Sequence, residues 1–592
     1  MDRKTVIGFV LIGLLLMVWM WMNAPPPQKP GAVTDTVKIQ TAKIDTTQKT
    51  ATPEPSGKID SLGKFFSGLK AVEQKNIYIE TPSYTATFSS RGGSIVSWIL
   101  KGYKTWNQYP VDLIGEGSRG DFNMMFLTAD GKLINTKQLS FETDQAGGTR
   151  LTLKPQDSLT IKFTLNISGK SRLVKILTFY GDRYSFDASY EFVGMDQVIS
   201  NYEYQITWEN GLRYQELNTI NESNFAKASA LAGGELTEID ATNFGENYKQ
   251  SISGRVSWIA TRNKYFAVAI MPREKESQGA LLEGSRIHLP DNGAQENYSI
   301  AMKMPFIGRS YETDRFTVFL GPLDFDLVKE YNVELDRIMS LGAAWIIRPI
   351  SEYVIIPVFK FLRLFISNYG IILIIFAILV KIVLYPLTKS SMTSMRKMQK
   401  LQPMMDEIRT KYKDDPQKMN QQVMRLYKEY GVNPAGGCLP MLLQLPILYA
   451  LWAVFSATIE LRQASFIWWM KDLSSPDVIT TLPFKLPLFG IDQISGLALL
   501  MGVTMFVQQK MSVKDPRQKM MVWLMPVMLT LLFNSFPSGL NLYYFMFNLL
   551  SIGQQAWINK KHKDEPLKKV EEKKKRGGIF SKFSENMPKL KR

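Results

Sequence analysis

Residues 371–386 read Ile371-Ile-Leu-Ile-Ile-Phe-Ala-Ile-Leu-Val-Lys-Ile-Val-Leu-Tyr-Pro386, an apolar stretch that contains a single lysine. Similar apolar stretches follow it along the chain, and together they predict five membrane-spanning helices. The candidate spans are residues 369–387, 436–458, 494–510, 520–536 and 540–557. The mean hydropathy of the whole chain, −0.10, conceals them because apolar residues are concentrated at the N-terminus and beyond residue 345.

A sixth candidate span lies near the N-terminus, where residues 5–22 form an apolar run behind two basic residues. At 1.5 Å per residue this run reaches about 27 Å, close to the thickness of the hydrocarbon core. The alternative is a cleaved signal peptide, but cleavage needs small residues before the cut, and here bulky residues precede three prolines. We therefore predict a signal-anchor helix over residues 1–23 with its basic end in the cytoplasm.

The next part of the chain predicts a tether and then an all-β domain. Residues 24–75 are rich in Pro, Thr, Lys, Gln and Ser, a composition typical of a disordered linker. Short runs rich in Val, Ile, Tyr, Phe and Thr then alternate with Gly, Asn and Asp turns as far as residue 322. They predict one large β-sandwich over residues 76–340. Because it follows the anchor, we expect it outside the cytoplasm.

Residues 341–367 predict an amphipathic helix that lies in the plane of the membrane interface. Apolar and charged residues alternate there, and the segment contains Pro349 and Pro357. An ordinary amphipathic packing helix is the alternative.

The charge distribution supports a topology in which both termini are cytoplasmic. Segment 388–434 carries 10 Lys+Arg and the tail 558–592 carries 13, whereas segment 459–493, predicted to be external, carries 3. Basic residues favour the cytoplasmic side. The net charge of +17 therefore belongs mainly to the cytoplasmic face, whose expected partners are anionic lipids or RNA.

Segment 388–434 predicts a cytoplasmic helical hairpin. Pro403 is expected to bend or break its first helix, and Asp415 followed by Pro416 is a plausible start for the second. The many methionines suggest an adaptable surface for apolar client segments, although the two apolar stripes could equally pack on each other. The stripes consist of Met392, Met395, Met398, Leu401, Met405, Ile408 and Tyr412 on the first helix, and of Met419, Val423, Leu426 and Tyr430 on the second.

Polar side chains within the apolar spans suggest a hydrated cavity. A lysine at membrane depth is costly, so Lys381 either reaches the inner interface or faces a wet cavity, and periodicity favours neither. Seven amides in or at the ends of the spans also favour a hydrated cavity, although a hydrogen bond between helices is the usual explanation for a single amide. The amides are Gln444, Gln508, Gln509, Asn534, Asn541, Asn548 and Gln554.

The residue inventory excludes most enzyme classes. One cysteine, Cys438, and two histidines leave no disulfide framework or Cys/His metal cluster. A Ser–Lys dyad between Lys381 and Ser390 or Ser391 is a weak alternative, and no phosphate loop or hydrolase motif is present in the sequence. A secondary transporter would be expected to show two repeated halves, which the sequence lacks. We expect no catalytic residue, metal or cofactor.

Several motifs in order closely resemble the YidC membrane protein insertase family. They are Phe88-Ser-Ser-Arg-Gly-Gly-Ser-Ile95, Tyr385-Pro-Leu-Thr-Lys389, Leu401-Gln-Pro403, Val432-Asn-Pro-Ala-Gly-Gly-Cys-Leu-Pro440, Gln444-Leu-Pro446, Glu460-Leu-Arg-Gln-Ala464 and Phe536-Pro-Ser-Gly-Leu540 followed by Tyr543-Tyr544. The resemblance implies a polytopic α-helical inner-membrane protein with six spans, a five-helix insertase core (368–557) and a periplasmic all-β sandwich.

The resemblance also assigns roles to residues of this chain. It implies a hydrophilic groove, open to the cytoplasm and to lipid but closed to the periplasm, around a basic residue that is usually arginine and is Lys381 here. Gln444, Gln508 and Asn534 are the other groove candidates. The implied hydrophobic slide for the client helix comprises Ala377, Leu445, Pro446, Val527, Leu532, Tyr543 and Tyr544.

The resemblance implies an insertase and chaperone that acts alone or beside the Sec translocon. The implied partners are nascent membrane proteins, the ribosome, the Sec translocon, the signal recognition particle and its receptor, and anionic lipids. Client segments are expected to meet Met392, Met395, Met398, Met405 and Met419 on the hairpin. In the tail, Lys573, Lys574, Lys575 and Arg576 are expected to contact ribosomal RNA, with a lipid-surface anchor as the alternative. A Sec-dependent chaperone without insertase activity is the alternative function.

Overall fold

The computed structural model describes residues 62–69, 73–115, 120–432, 439–486, 491–512, 519–561 and 569. The chain divides into two compact units between Ser340 and Leu341, and residues 457–459 belong with the first. Several predicted features lie outside the described residues: the anchor, most of the tether, Cys438 and the basic cluster Lys573–Arg576.

The first unit is almost entirely β-structure. Its strands are β1 (Asn76–Glu80), β2 (Tyr84–Ser89), β3 (Ser94–Lys104), β4 (Pro110–Asp112), β5 (Asn123–Thr128), β6 (Leu133–Asn135), β7 (Glu142–Thr143), β8 (Arg150–Thr152), β9 (Ser158–Asn166), β10 (Arg172–Tyr180), β11 (Ser185–Val193), β12 (Ile199–Trp208), β13 (Lys227–Ala232), β14 (Glu235–Ile239), β15 (Asn247–Ser253), β16 (Val256–Arg262), β17 (Phe266–Pro272), β18 (Gly279–Leu289), β19 (Gly293–Pro305) and β20 (Tyr311–Pro322). Three short helices, α1 (Gly63–Phe66), α2 (Thr219–Ser223) and α3 (Phe325–Lys329), accompany them.

The strands of this unit form three sheets in the part of the chain that the structure describes. Their strand orders are β4-β3-β2-β1-β8, β14-β13-β16-β17-β20-β11-β10-β9-β7 and β15-β18-β19-β12-β5-β6. Inward side chains alternate along the strands, as in β9, where Ile161, Phe163 and Leu165 are buried between more exposed neighbours. Residues of all three sheets contribute to one hydrophobic core. The predicted all-β domain is confirmed, and its strands form three hydrogen-bonded sheets among the described residues.

One lysine of β10 lies inside this core. Lys175 is 1% exposed, and its Nζ donates to the carbonyl oxygen of Phe122 at 2.6 Å. The ammonium also lies 4.6 Å from the centre of the Phe122 ring. Burial lowers the pKa of Lys175 well below its usual value, because the charged form loses its hydration.

The second unit is mainly helical. Its helices are α4 (Ile347–Ile350), α5 (Ile356–Arg363), α6 (Tyr369–Val383), α7 (Tyr385–Lys411), α8 (Pro416–Glu429), α9 (Leu439–Ala457), α10 (Gly496–Ser512), α11 (Lys519–Phe533) and α12 (Ser538–Lys561). A π-helical turn, Ser351–Ile355, joins α4 to α5. Helix α12 packs against α6 and α10, and α10 also packs against α11. A two-stranded sheet, β21 (Val478–Leu486) and β22 (Ile491–Ser495), precedes α10 and was not predicted.

Each of the five predicted core spans corresponds to a helix, but the first ends earlier than expected. Helix α6 stops at Val383 and α7 begins at Tyr385, where Pro386 occupies the first turn and cannot donate a backbone hydrogen bond. Among the described residues, no single helix is long and apolar enough to cross a bilayer. The pair α6–α7, bent by 67°, meets that criterion by length and composition.

Two local predictions for the hairpin had different outcomes. Asp415 caps α8 as predicted, since its carboxylate accepts from the Lys418 amide at 3.0 Å and Pro416 is the first helical residue. Pro403 does not break the helix, because α7 runs without interruption to Lys411. The other predicted outcome, a bend at Pro403, stays a prediction. Pro403 is exposed, whereas its neighbours Leu401 and Met405 are buried against α8, and this packing offsets the lost backbone hydrogen bond.

Candidate functional site

Lys381 lies inside the helical unit, in the last turn of α6. It is 8% exposed, and its Nζ donates to Ser551 Oγ of α12 at 2.7 Å. The same nitrogen lies 4.6 Å from the centre of the Phe547 ring, one helical turn earlier on α12. The ammonium therefore has a hydroxyl and an aromatic face as partners, and among the described residues no carboxylate is paired with it.

A cavity of about 490 Å³ adjoins this lysine. It lies between α6 and α12, and the first residue of α7 borders it. Apart from Lys381 and Gln554 its lining is largely apolar, so one cation and one amide supply most of its polarity. The lining consists of Ile378, Lys381, Ile382, Tyr385, Leu550, Gln554 and Trp557.

Several amide side chains of the helical unit have an oxygen or nitrogen atom that is buried and has no hydrogen-bond partner among the described residues. Gln444 donates to the Tyr543 hydroxyl at 2.7 Å, and Gln554 donates to Thr388 Oγ1 at 3.2 Å. Among the described residues, six amides each leave one buried polar atom without a partner, and such atoms are usually satisfied by water or a ligand. They are Gln444, Gln509, Asn541, Asn548, Gln554 and Gln555.

The other two groove candidates lie in different surroundings. Gln508 is half-buried on α10, as is its neighbour Gln509. Asn534 follows the end of α11, where its Oδ1 accepts from the Ser495 amide at 2.8 Å and its Nδ2 donates to the Gln493 carbonyl at 2.6 Å. Asn534 thus joins the end of α11 to β22 and does not line the cavity beside Lys381.

The slide candidates divide by exposure. Leu445 and Val527 are exposed, at 37% and 54%, whereas Ala377 and Tyr543 are completely buried. The remaining candidates, Pro446, Leu532 and Tyr544, are half-buried. Tyr543 faces the interior, where it accepts the hydrogen bond from Gln444 and lies 6.0 Å from the Phe376 ring centre.

The hairpin helices use their apolar stripes to pack on each other, which is the alternative that the sequence left open. Leu401, Met405, Leu426, Tyr430 and Val432 form one buried cluster, with Met398 packed against it. The other candidates, Met392, Met395 and Met419, are buried or half-buried. Met405 and Met398 are thus engaged in the contact between the two helices, whereas Met395 and Met419 are half-buried outside the cluster.

The first half of α7 docks on the ends of two bundle helices. The guanidinium of Arg396 donates to the carbonyl oxygens of Ile558 and Asn559, at 2.5 and 2.7 Å, near the end of α12. The amide of Gln399 donates to the carbonyls of Met511 and Ser512, at 3.1 and 2.7 Å, at the end of α10. Both side chains satisfy carbonyls that a helix C-terminus leaves unpaired.

Sequence reasoning missed Ser551, Arg396 and Gln399. A serine in an apolar helix resembles ordinary packing, and Arg396 was counted only as one of many basic residues. The heptad-like spacing of Thr388, Met392, Arg396 and Gln399 places them on one helical face, and that spacing was the available signal.

Comparisons with known proteins match both units. The family model described as "60Kd inner membrane protein" matches residues 361–565, and "YidC periplasmic domain" matches residues 76–352. The Membrane protein insertase YidC of Chlorobaculum parvum is 40% identical over 578 residues, 95% of this chain and 96% of that protein. Its counterpart from Chloroherpeton thalassium is 38% identical over 96% of this chain and 97% of that protein.

A solved structure titled "Active YidC insertase crystal structure with the first transmembrane domain resolved" is 20% identical, with a TM-score of 0.34, and covers 82% of this chain and 93% of that one. The family is established by the sequence models, which together match more than half of the chain, and by the relatives that align over nearly all of it. The chain therefore belongs to the YidC family of inner-membrane insertases, and its β-unit is the periplasmic domain of that family.

Proposed function

We propose that this chain inserts nascent membrane proteins into the lipid bilayer and assists their folding. The observation that carries the proposal is the alignment of 95% of the chain with proteins named membrane protein insertase. The Lys381 cavity supplies the mechanism, because it offers a cation in an otherwise apolar space between two helices.

The cavity is the proposed groove for the polar flank of a client. An acidic group is attracted to the Lys381 ammonium, and water that satisfies the unpaired amides lowers the cost of moving a polar segment into the membrane. A lysine provides a point charge without the planar fork of an arginine, so recognition rests on attraction alone. Gln554 lines the same cavity. Gln444, whose amide donates to the Tyr543 hydroxyl, and Gln508 are outside that lining and are proposed as groove residues further along the bundle.

The proposed slide carries the apolar part of the client from the groove into lipid. Leu445 and Val527 are exposed enough to contact a client helix, and Pro446, Leu532 and Tyr544 lie at the boundary. Ala377 and Tyr543 are buried, so their proposed role is to support the slide by packing rather than to contact the client. Burial of the client's apolar surface in lipid provides the driving force, with no nucleotide or metal.

We place the five core helices across the bilayer with the N-terminal anchor as a sixth span. The distribution of Lys and Arg favours cytoplasmic termini. Segment 341–367 is proposed to lie in the interface, because the exposed face of this segment is apolar: Trp345 is 82% exposed and Phe365 74%.

The proposed partners on the cytoplasmic side are the ribosome, the signal recognition particle with its receptor, and anionic lipids. The excess of basic residues in segments 388–434 and 558–592 supports contacts with RNA or acidic headgroups. The Sec translocon is proposed as a second partner for clients that are too polar to be inserted by this chain alone.

Liposomes that contain only this protein test the proposal. The client is a short single-span protein with an acidic external tail, and tail protection from protease reports insertion. We expect protection with the unmodified chain, strong loss with Lys381→Ala, and retention with Lys381→Arg. Lys413→Ala is the matched control, since Lys413 is an exposed lysine at the tip of the hairpin.

Two other outcomes would change the proposal. Equal protection in all variants would remove Lys381 from the mechanism and leave hydration and the slide. No protection with the correctly folded unmodified chain would favour the Sec-dependent chaperone.

A further inference from the structure

One short loop segment lies against the N-terminal ends of two bundle helices, α10 and α12. Residues 472–477, here called the strap, read Asp472-Leu-Ser-Ser-Pro-Asp477 and precede β21. The strap is held in shape by Asp472, whose Oδ1 accepts from the amides of Gln463 and Ser474, at 3.0 and 2.9 Å, and from Ser474 Oγ at 2.8 Å.

The strap first satisfies the start of α12. The amide of Ser538 donates to the Ser475 carbonyl at 2.8 Å, and the amide of Gly539 donates to the Leu473 carbonyl at 2.9 Å. Ser538 Oγ adds a third bond, to the Asp472 carbonyl at 2.8 Å. These amides would otherwise have no partner at a helix N-terminus.

Asp477 joins the strap to the start of α10. Its carboxylate is 5% exposed and accepts from the Leu497 amide at 2.7 Å and from the Trp469 indole nitrogen at 2.9 Å. Ser495 Oγ donates to the other carboxylate oxygen. A carboxylate in this position also complements the positive end of the helix dipole.

The start of α6 is covered by the turn that precedes the strap. A Cβ added to Gly370 would lie 2.1 Å from Phe466 Cδ2, so the Phe466 ring packs directly on the α6 backbone. Lys381 lies eleven residues further along α6, or about 17 Å. The strap and the Lys381 cavity are thus separated by most of the length of the bundle.

We propose that Asp477 is a positioning residue: it locks the strap across the N-terminal ends of α10 and α12 and so maintains the periplasmic closure that the family resemblance implies for the groove. The assignment of this end to the periplasmic side rests on the proposed function. The carboxylate ties Trp469, eight residues before it, to Ser495 at the end of β22 and to Leu497 in the first turn of α10, which follow it by 18 and 20 residues. An apolar side chain could fill the same space, but only a hydrogen-bond acceptor can bind the Trp469 indole, the Ser495 hydroxyl and the Leu497 amide at once. Asn534, which bonds Gln493 and Ser495, acts beside it and holds the end of α11 to the same closure.

Side-specific thiol labelling of the full chain tests this inference. The reporter is Leu373→Cys in a Cys438→Ser background, because Leu373 is completely buried on α6 and its side chain lies beside Gly539 under the strap. A membrane-impermeant cationic methanethiosulfonate is added to intact spheroplasts, which present the periplasmic face. We expect almost no labelling of the parent. Asp477→Ala should raise the labelling rate about tenfold or more, the change expected when one charge-assisted hydrogen bond is lost.

The matched control is Asp492→Ala, which removes an exposed carboxylate from β22 of the same segment and should leave the rate unchanged. Equal rates for Asp477→Ala and Asp492→Ala would overturn the inference. If Asp477→Ala does not accumulate, Asp477→Asn keeps the shape of the side chain and should still raise labelling, and an unchanged rate would again overturn it.

Client insertion measured in the same spheroplasts separates this inference from the proposed function. A parent that fails to insert the client but protects the reporter contradicts the proposed function and leaves the strap inference standing. A parent that inserts the client while the reporter labels freely contradicts the strap inference alone.

Discussion

Removing the two side chains that dock the hairpin should release it from the bundle. Arg396 bonds two carbonyls at the end of α12, and Gln399 bonds two at the end of α10. A hydrogen bond from a charged group contributes about 1.5–3 kcal/mol and a neutral one about 0.5–1.5 kcal/mol. Because the two bonds of each side chain share one donor group, we count one net bond for each side chain. The double variant Arg396→Ala/Gln399→Ala should then lose about 2–4 kcal/mol of docking free energy.

This loss corresponds to a decrease of about 30- to 700-fold in the ratio of docked to undocked hairpin, at about 1.4 kcal/mol per factor of ten. The assay is pulsed electron paramagnetic resonance on the full chain in liposomes. Spin labels are attached at Lys413→Cys, at the hairpin tip, and Lys560→Cys, in the last turn of α12, in a Cys438→Ser background. We expect one narrow distance distribution before the double substitution and a broad, longer one after it.

The control is Arg425→Ala, which removes an exposed arginine of α8 that pairs with Glu429 at 3.3 Å. Exposed ion pairs contribute little, so the distance distribution should not change. An unchanged distribution in the double variant would refute the view that these caps hold the hairpin. A broad distribution in the parent chain would refute it equally, because the hairpin would then be undocked already.

The remaining predictions concern packing and buried charge. Because burial lowers the pKa of Lys175, the folded β-unit disfavours the protonated amine, so its stability should rise as the pH increases from neutral toward 10.5. Lys175→Met should flatten this rise, as measured by the urea midpoint of the β-unit in pulse proteolysis at about pH 7 and about pH 9.5; an equal slope would contradict the assignment. Gly370→Ala should destabilise the helical unit by about 1–3 kcal/mol through overlap with Phe466. Phe466→Ala should relieve part of that loss, as seen by thermal unfolding in detergent, and simple additivity of the two changes would argue against the contact. Leu401→Ala should cost the hairpin about 2–5 kcal/mol, because Leu401 is completely buried there. Faster proteolysis within the hairpin, with the β-unit unaffected, is the expected result, and unchanged proteolysis would show that the cluster does not hold the two helices together.

The features that sequence predicted correctly are those with local signals. Period-two alternation in the β-unit, apolar runs in the helical unit and the Asp415–Pro416 cap each depend on neighbouring residues. Pro386 is also a local signal. Hydropathy did not indicate the break before α7, because the residues around this proline are apolar.

The features that sequence missed depend on residues distant in the chain. The partner of Lys381 is 170 residues away, and Asn534 bonds an amide 39 residues before it. Neither spacing has a periodic signature, so Asn534 resembled any other amide in an apolar span. The strap was missed for the same reason. Its carbonyl oxygens and the Asp477 carboxylate accept hydrogen bonds from the starts of helices that come later in the chain.

In the groove that we propose, the contact between Lys381 and Ser551 would make client capture an exchange of hydrogen-bond partners. The lysine stem has four methylene groups, and its nitrogen is held by one neutral hydroxyl that also donates to the Phe547 carbonyl at 2.7 Å. Replacing that hydroxyl with a carboxylate exchanges a neutral partner for a charged one, whereas an uncharged client segment leaves the original contact undisturbed. The same site can therefore hold acidic segments transiently and let neutral ones pass, and this tolerance is what a carrier of many unrelated clients requires.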